Sequence, residues 1–300
     1  RREVHTHLKS MRGREEGSEM PCAKRKRVPA PTSASAEDTT HPTFEEEYGA
    51  RLLNHLKDME VAHAPRLYMQ CQPEITTSMR ASVVDGLMTL HHQYQLSTPT
   101  LYLACSVMDR FCSVEVVKME ELKLVSVCSL LLASKFEDSV EIAAKDCAQA
   151  TGHSVTRVLA MEDRVARRLD FRMTVPTTFT FQNYLLYVAC STATQRKRAA
   201  YYSERCLQEH EALVHLPSVL AATSVFLARS HDYGEALAWT PFLQEKSGGI
   251  TPAQLAPCAR MMVRFLRAEC QTVRGRILSA CKERHTTVAG ECLPALSVTS

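Results

Sequence analysis

The run from Met119 to Phe136, MEELKLVSVCSLLLASKF, is apolar on nearly every face of a helix. Such a helix has no side to offer to water, so other elements must surround it. It predicts a helical bundle with this segment as its hub. Composition agrees: only 10 glycines occur in 300 residues, and Leu, Ala, Glu, Lys and Arg are plentiful. That mixture favours helices and lacks the turn residues an all-β fold needs. Hydrophobic residues make up 45 %, enough for a sizeable core. The apolar stretch between Lys123 and Lys135 is 11 residues long, and a membrane span needs about 20. Thr174 to Gln195 lacks charge but is broken by Pro176, Gln182, Asn183 and threonines. No leader is visible in these 300 residues, and a soluble protein is expected.

Other helices are legible by their spacing. Phe44 to Val61 carries Tyr48, Leu52, Leu56 and Met59 on one face. From Thr76, the residues Met79, Val83, Leu87, Leu90 and Tyr94 form a stripe. LSTPT then supplies a helix start, with Ser97 or Thr98 as cap and Pro99 at the first helical position. Leu101, Cys105, Met108 and Cys112 continue that helix. After the hub, a fourth helix is expected over roughly Val140 to Ala150, stopped by Gly152, and a fifth from the cap Ser154 to Leu169. DFRMTVPTTF reads as a linker, and helices resume from Phe179 to about Lys282. A faint repeat links the two parts. The small residues Ser126, Ser129 and Ala133 recur as Ala221, Ser224 and Ala228, shifted by 95. Each half thus has a central helix with a small-residue face for a close crossing.

Charge and sulfur narrow the function. Residues 1–43 hold 9 Lys+Arg against 6 Asp+Glu, leaving 27 of each in residues 44–300. The basic excess lies in a polar, period-free tail expected to be disordered. The neutral body argues against a nucleic-acid partner. The 12 cysteines form no C-x-x-C pair, and Cys105, Cys112, Cys128 and Cys206 lie in apolar runs. They read as reduced thiols of the cytosol or nucleus, not zinc ligands or disulfides.

Motifs for phosphate loops, dinucleotide sites, zinc proteases and serine hydrolases are absent. His91 and His92 point about 100° apart on a helix, and His210 and His215 are five apart, so all four read as surface histidines. What stands out is charge in apolar stripes. Leu124, Cys128, Leu131 and Lys135 share one face of the hub. Val155, Val158, Glu162, Val165 and Leu169 share a face of the fifth helix. A carboxylate in such a stripe needs a partner. By pattern alone, Lys135 snorkels at its helix end or pairs with Glu162. Arg80 and Asp109 are a second such pair, read as a structural link between two helices.

These residues carry a resemblance. MRASVVDGLMTLHHQYQLSTPTLYLACSVMDRFCS resembles the opening of a cyclin box, with its M-R-A, T-L-Y-L-A and D-R-F. LKLVSVCSLLLASKFED is similar to the box's central helix, and VLAMEDRVARRLDF to its fifth. YMQCQPEITTSMR and LPSVLAATSVFLA are similar to A- and B-type mitotic cyclins, and the likeness runs from Phe44 to Lys282. It implies an all-α tandem cyclin-box fold, two five-helix bundles preceded by an N-terminal helix. The implied division is a disordered basic tail (1–43), helix and first box (44–173), second box (174–283) and a C-terminal tail (284–300).

The resemblance also implies a non-catalytic regulatory subunit, without metal or cofactor. It would bind and activate a cyclin-dependent Ser/Thr protein kinase in mitotic cell-cycle control. The family's kinase-binding lysine and glutamate fall on Lys135 and Glu162, with Phe136, Leu131 and Leu169 as neighbours. The family's groove for Arg-x-Leu motifs of substrates or inhibitors falls on Met79, Val83, Gly86, Leu87 and Lys123. Here Gly86 stands where many mitotic cyclins have tryptophan, Ser82 replaces an isoleucine and Thr89 an acidic residue. The groove thus loses its largest anchor and a charge. No R-x-x-L destruction signal occurs in the tail. Lys24, Arg25, Lys26 and Arg27 resemble a nuclear import signal, so nucleus and cytoplasm are expected. The alternative is a transcription or nucleic-acid-associated factor sharing the box fold. The neutral body and missing zinc ribbon weigh against it.

Overall fold

Thirteen helices and two 3-10 turns, with no strand, make up the described residues of the computed structural model, 44–271 and 280–289. The expected disordered tail and the basic run Lys24–Arg27 lie outside them. In chain order the helices are α1 Phe44–His63, α2 Thr77–Gln93, α3 Thr98–Val114, α4 Met119–Glu137, α5 Ala144–Thr151, α6 Val155–Arg168 and α7 Thr178–Val188. They continue as α8 Ala193–Leu207, α9 Pro217–Tyr233, α10 Glu235–Ala238, α11 Pro241–Lys246, α12 Pro252–Gln271 and α13 Ala280–Arg284. None among the described residues is long and apolar enough to cross a membrane.

Local chemistry sets the helix ends. The Thr76 hydroxyl accepts from the amide of Met79 at 3.2 Å, and Ser154 does the same for Arg157 at 3.2 Å. Pro99 and Pro217 stand in the first turns of α3 and α9, where no amide partner is missed. Thr177 and Thr192 open α7 and α8 with reciprocal capping boxes. Gly152, at φ +75°, ends α5 in the left-handed conformation that a side chain disfavours.

The hub is α4, packed against α2, α3, α5 and α6. In the second half α9 takes the same place, touching α1, α7, α8, α10 and α12. All six small residues of the repeat are buried: Ser126, Ser129 and Ala133 on α4, and Ala221, Ser224 and Ala228 on α9. The first half has five helices, α2 to α6. The second has five of six or more residues, α7, α8, α9, α11 and α12, plus the short α10 and α13. Cys105, Cys112, Cys128, Cys147, Cys206, Cys258 and Cys281 are buried, while Cys71 and Cys190 are exposed.

The structure differs from the sequence reading in three places. The fourth helix starts at Ala144 instead of near Val140. Asp138 leaves the helical path because its carboxylate accepts from Ser97 N (2.9 Å) and Thr100 Oγ1 (2.6 Å), capping α3 from outside. On α2 the buried line is Arg80, Val84, Leu87, Met88 and His91, so only Leu87 of the expected stripe is in it. Third, the boundary placed at residue 283 falls inside packed chain. Ala280 N donates to Asp85 at 3.0 Å, His285 meets Glu204 at 2.9 Å, and Val288 and Ala289 are buried.

Two buried carboxylates organise the N-terminal segments. Glu60 on α1 accepts from the amide (2.8 Å) and hydroxyl (2.6 Å) of Ser218, so α1 caps the second half's central helix. Asp109 on α3 takes two bonds from Arg80, at 2.7 and 2.6 Å, and one from Tyr68 at 2.7 Å. Arg80 also donates to the carbonyl of Leu207, the last residue of α8, at 2.9 Å. One guanidinium therefore joins α2, α3 and the second half. Burial opposes its charge, but the bonds to Asp109 prevail and its pKa rises above the ordinary arginine value.

Candidate functional site

Where α4 and α6 cross, Cys128 donates its thiol hydrogen to the carbonyl of Val158 at 3.5 Å. Around it Leu124, Leu131, Val158 and Val165 are fully buried. The two stripes named from sequence thus face each other, and their charged members meet at the rim. Lys135 Nζ donates to Glu162 Oε1 at 2.6 Å. The lysine side chain is 38 % exposed and the glutamate 14 %. This one bond leaves two ammonium N–H groups and Oε2 of the glutamate without a partner among the described residues. A pair held at the surface, with unused donors and acceptors over an apolar floor, can exchange its internal bond for the backbone of another chain.

The neighbours assigned with this pair divide. Phe136 is 50 % exposed and forms part of the outer face. Leu131 and Leu169 are buried, so they form the floor and cannot touch a partner; that part of the sequence assignment is corrected. The inward stripe selected them because it records what the core needs. Leu159, 47 % exposed and one turn before Glu162, lies on the outer side instead. Its spacing of three from Glu162 was the available signal.

The other candidate positions lie on or beside α2. Met79 and Val83 are half-buried, and Gly86 and Lys123 exposed. Leu87 is buried among the core residues and lines no groove, a second correction. A Cβ placed on Gly86 would meet nothing within 4 Å, so the missing side chain leaves open space there. Arg80 and Asp109 form the buried pair already described. Of the four histidines read as surface groups, His92 is exposed and His215 half-buried. His91 is buried, with Nε2 2.8 Å from the carbonyl of Ser97. His210 is buried edge-on against the Tyr68 ring, centroids 4.9 Å apart. No group of three or more metal-ligating side chains occurs among the described residues.

The described residues thus form tandem helical bundles built on two central helices, with a charged pair at the rim of the first. The chain belongs to the cyclin family: "Cyclin, N-terminal domain" matches residues 51–174 and "Cyclin, C-terminal domain" matches 176–287. It is 31 % identical over 232 residues to Cyclin-B1-2 of Arabidopsis thaliana, covering 77 % of this chain and 52 % of that protein. It is 34 % identical over 203 residues to G2/mitotic-specific cyclin S13-7 of Glycine max, covering 67 % and 78 %. The chain spans about half the length of several such relatives. Its fold is also that of a viral cyclin from herpesvirus saimiri, with a TM-score of 0.60 at 15 % identity over 80 % of this chain and 98 % of that one.

Proposed function

We propose that this chain is a non-catalytic regulatory subunit that binds and activates a cyclin-dependent Ser/Thr protein kinase in mitotic cell-cycle control. The observation that carries the reading is the Lys135–Glu162 pair, its lysine exposed and its glutamate half-buried, over a buried apolar floor. Lysine donates to backbone carbonyls and glutamate accepts from backbone amides. Both gain strength when a partner excludes water. Activation then follows by linkage, because the subunit shifts the kinase only by binding its active arrangement better than its inactive one. That arrangement places the kinase's own lysine–glutamate pair around its nucleotide. Met79, Val83, Gly86 and Lys123 are the positions at which this chain would meet Arg-x-Leu segments, weakly, since Gly86 supplies no wall. The basic run Lys24–Arg27 supports entry into the nucleus from the cytoplasm.

The test is affinity capture of the tagged chain from its native cell, scored for a copurifying protein kinase. That kinase is then assayed with wild type and with Lys135→Ala/Glu162→Ala. We expect activation to be lost in the double variant. Truncating desolvated interface charges weakens binding by about 2–5 kcal/mol. The fold should stay within about 1 kcal/mol of wild type, since an exposed pair adds little stability. Full activation by the folded variant would reject the role given to these two residues.

A further inference from the structure

A cleft runs along the seam between the two halves, where four segments meet. The end of α1 supplies His63, α3 supplies Ser106, the stretch leading into α7 supplies Pro176 and Thr178, and the chain before α9 supplies Leu213 and His215. Its inner cavity holds about 100 Å³, and the empty space out to its open mouth comes to about 820 Å³. Small-molecule sites favour such seams, with apolar walls and a few converging polar groups. An apolar void of about 150 Å³ already admits benzene.

The polar groups on the walls fall into two sets. One set is satisfied: Arg80 holds Asp109, Glu60 accepts from Ser218, and Tyr102 meets Ser203. The other has nothing to bond. Thr178 is only 7 % exposed, yet its hydroxyl has no hydrogen-bond partner among the described residues. Ser106, His63 and His215 are half-buried, and their side chains make no hydrogen bond among those residues either. Polar groups withdrawn from bulk water are normally bonded, so an unbonded set needs an explanation. Four of them, drawn from both halves, line one cavity. Burial lowers both imidazoles, so near neutral pH each carries one donor and one acceptor nitrogen. Each hydroxyl likewise donates and accepts. Because the charged groups on the walls are already engaged, burying an ion there would go uncompensated. An uncharged molecule fits instead, with its ring against proline and leucine and its polar edge toward the free hydroxyls and imidazoles.

We propose that the cavity between the two bundles binds a small uncharged aromatic molecule bearing a hydrogen-bonding group, of the class of phenols and indoles, through Ser106, Thr178, His63 and His215. The site uses neither Lys135 nor Glu162 and stands apart from the kinase reading.

The experiment follows the ring resonances of His63 and His215 in the full chain by NMR at constant pH. Phenol and indole are the probes. Benzene, which lacks the polar group, and benzoate, which carries a charge, are the controls. We expect phenol or indole to shift both histidines saturably, benzene to bind about ten-fold more weakly and benzoate to leave them unmoved. Thr178→Val should weaken the phenol response about ten-fold while leaving the unliganded melting temperature near that of wild type, since the hydroxyl has no partner to lose. Leu213→Trp should fill the cavity and abolish the response. If that variant fails to fold, Thr178→Val keeps the test decisive. No saturable shift with either probe, equal binding of benzene or benzoate, or an affinity unchanged in Thr178→Val overturns the site.

Discussion

Arg80 and Lys135 are both basic residues paired with a carboxylate, and their surroundings give them opposite roles. Arg80 is 1 % exposed, with Asp109 beneath it and the Leu207 carbonyl across the seam. Arg80→Ala strands a buried carboxylate, which costs about 3–5 kcal/mol. Urea melts should show that loss, and an unaltered midpoint would remove its structural role. Gly86 gives the opposite sign. It lies in the middle of α2, with open space where a Cβ would stand. Gly86→Ala should therefore raise stability by about 0.5–1 kcal/mol in the same melts. At this scale the sequence shows which residues are unusual, because charge in an apolar stripe is visible as letters. It does not show depth. Leu131 and Phe136 are five apart, yet one is floor and the other face.

Among the elements, helix existence follows from apolar spacing, and helix ends follow from caps where the capping group is local. Ser154 caps its helix as the pattern predicts and Thr76 does the same for α2, whereas Ser97 precedes α3 without a side-chain cap bond. The start of α5 escapes because Asp138 is drawn away to cap α3, 38 residues earlier in the chain. Similarly, α2 turns Arg80 and His91 inward, and a hydrophobic pattern counts both as exterior. Glu60 is a long-range cap of the same kind, and burial raises its pKa against the lowering by Ser218 and Lys57. A folded-state pKa above the unfolded one favours folding while the group is protonated, and that contribution is lost as pH rises through the raised value. Glu60→Gln keeps an acceptor for Ser218 and does not titrate. The stability of wild type relative to this variant should fall as pH rises from the ordinary glutamate range through the raised value. A pH-independent difference in melts would show that the carboxyl is not shifted.

The whole molecule is two bundles locked together by bonds between residues far apart in sequence. Tyr102 meets Ser203 at 2.6 Å, Gln208 donates to Asp85 at 2.9 Å, and Arg80 reaches Leu207. The segment from Ala280 returns to α2 and α8. Sequence periodicity reveals two similar halves but not the seam, since each of these contacts needs a partner about 100 residues or more away.

The buried thiols give that lock a consequence in time. Burial raises Cys105, Cys112, Cys128 and Cys258 to about 12 and Cys147 to about 11, so native chains hold almost no thiolate there at neutral pH. A brief pulse of alkylating reagent should mark exposed Cys71 and Cys190 at once and these only after opening. Because reporters sit in both bundles, peptide mapping should find Cys105 and Cys258 modified at one common rate. In Arg80→Ala, with the clasp removed, two separate clocks should run.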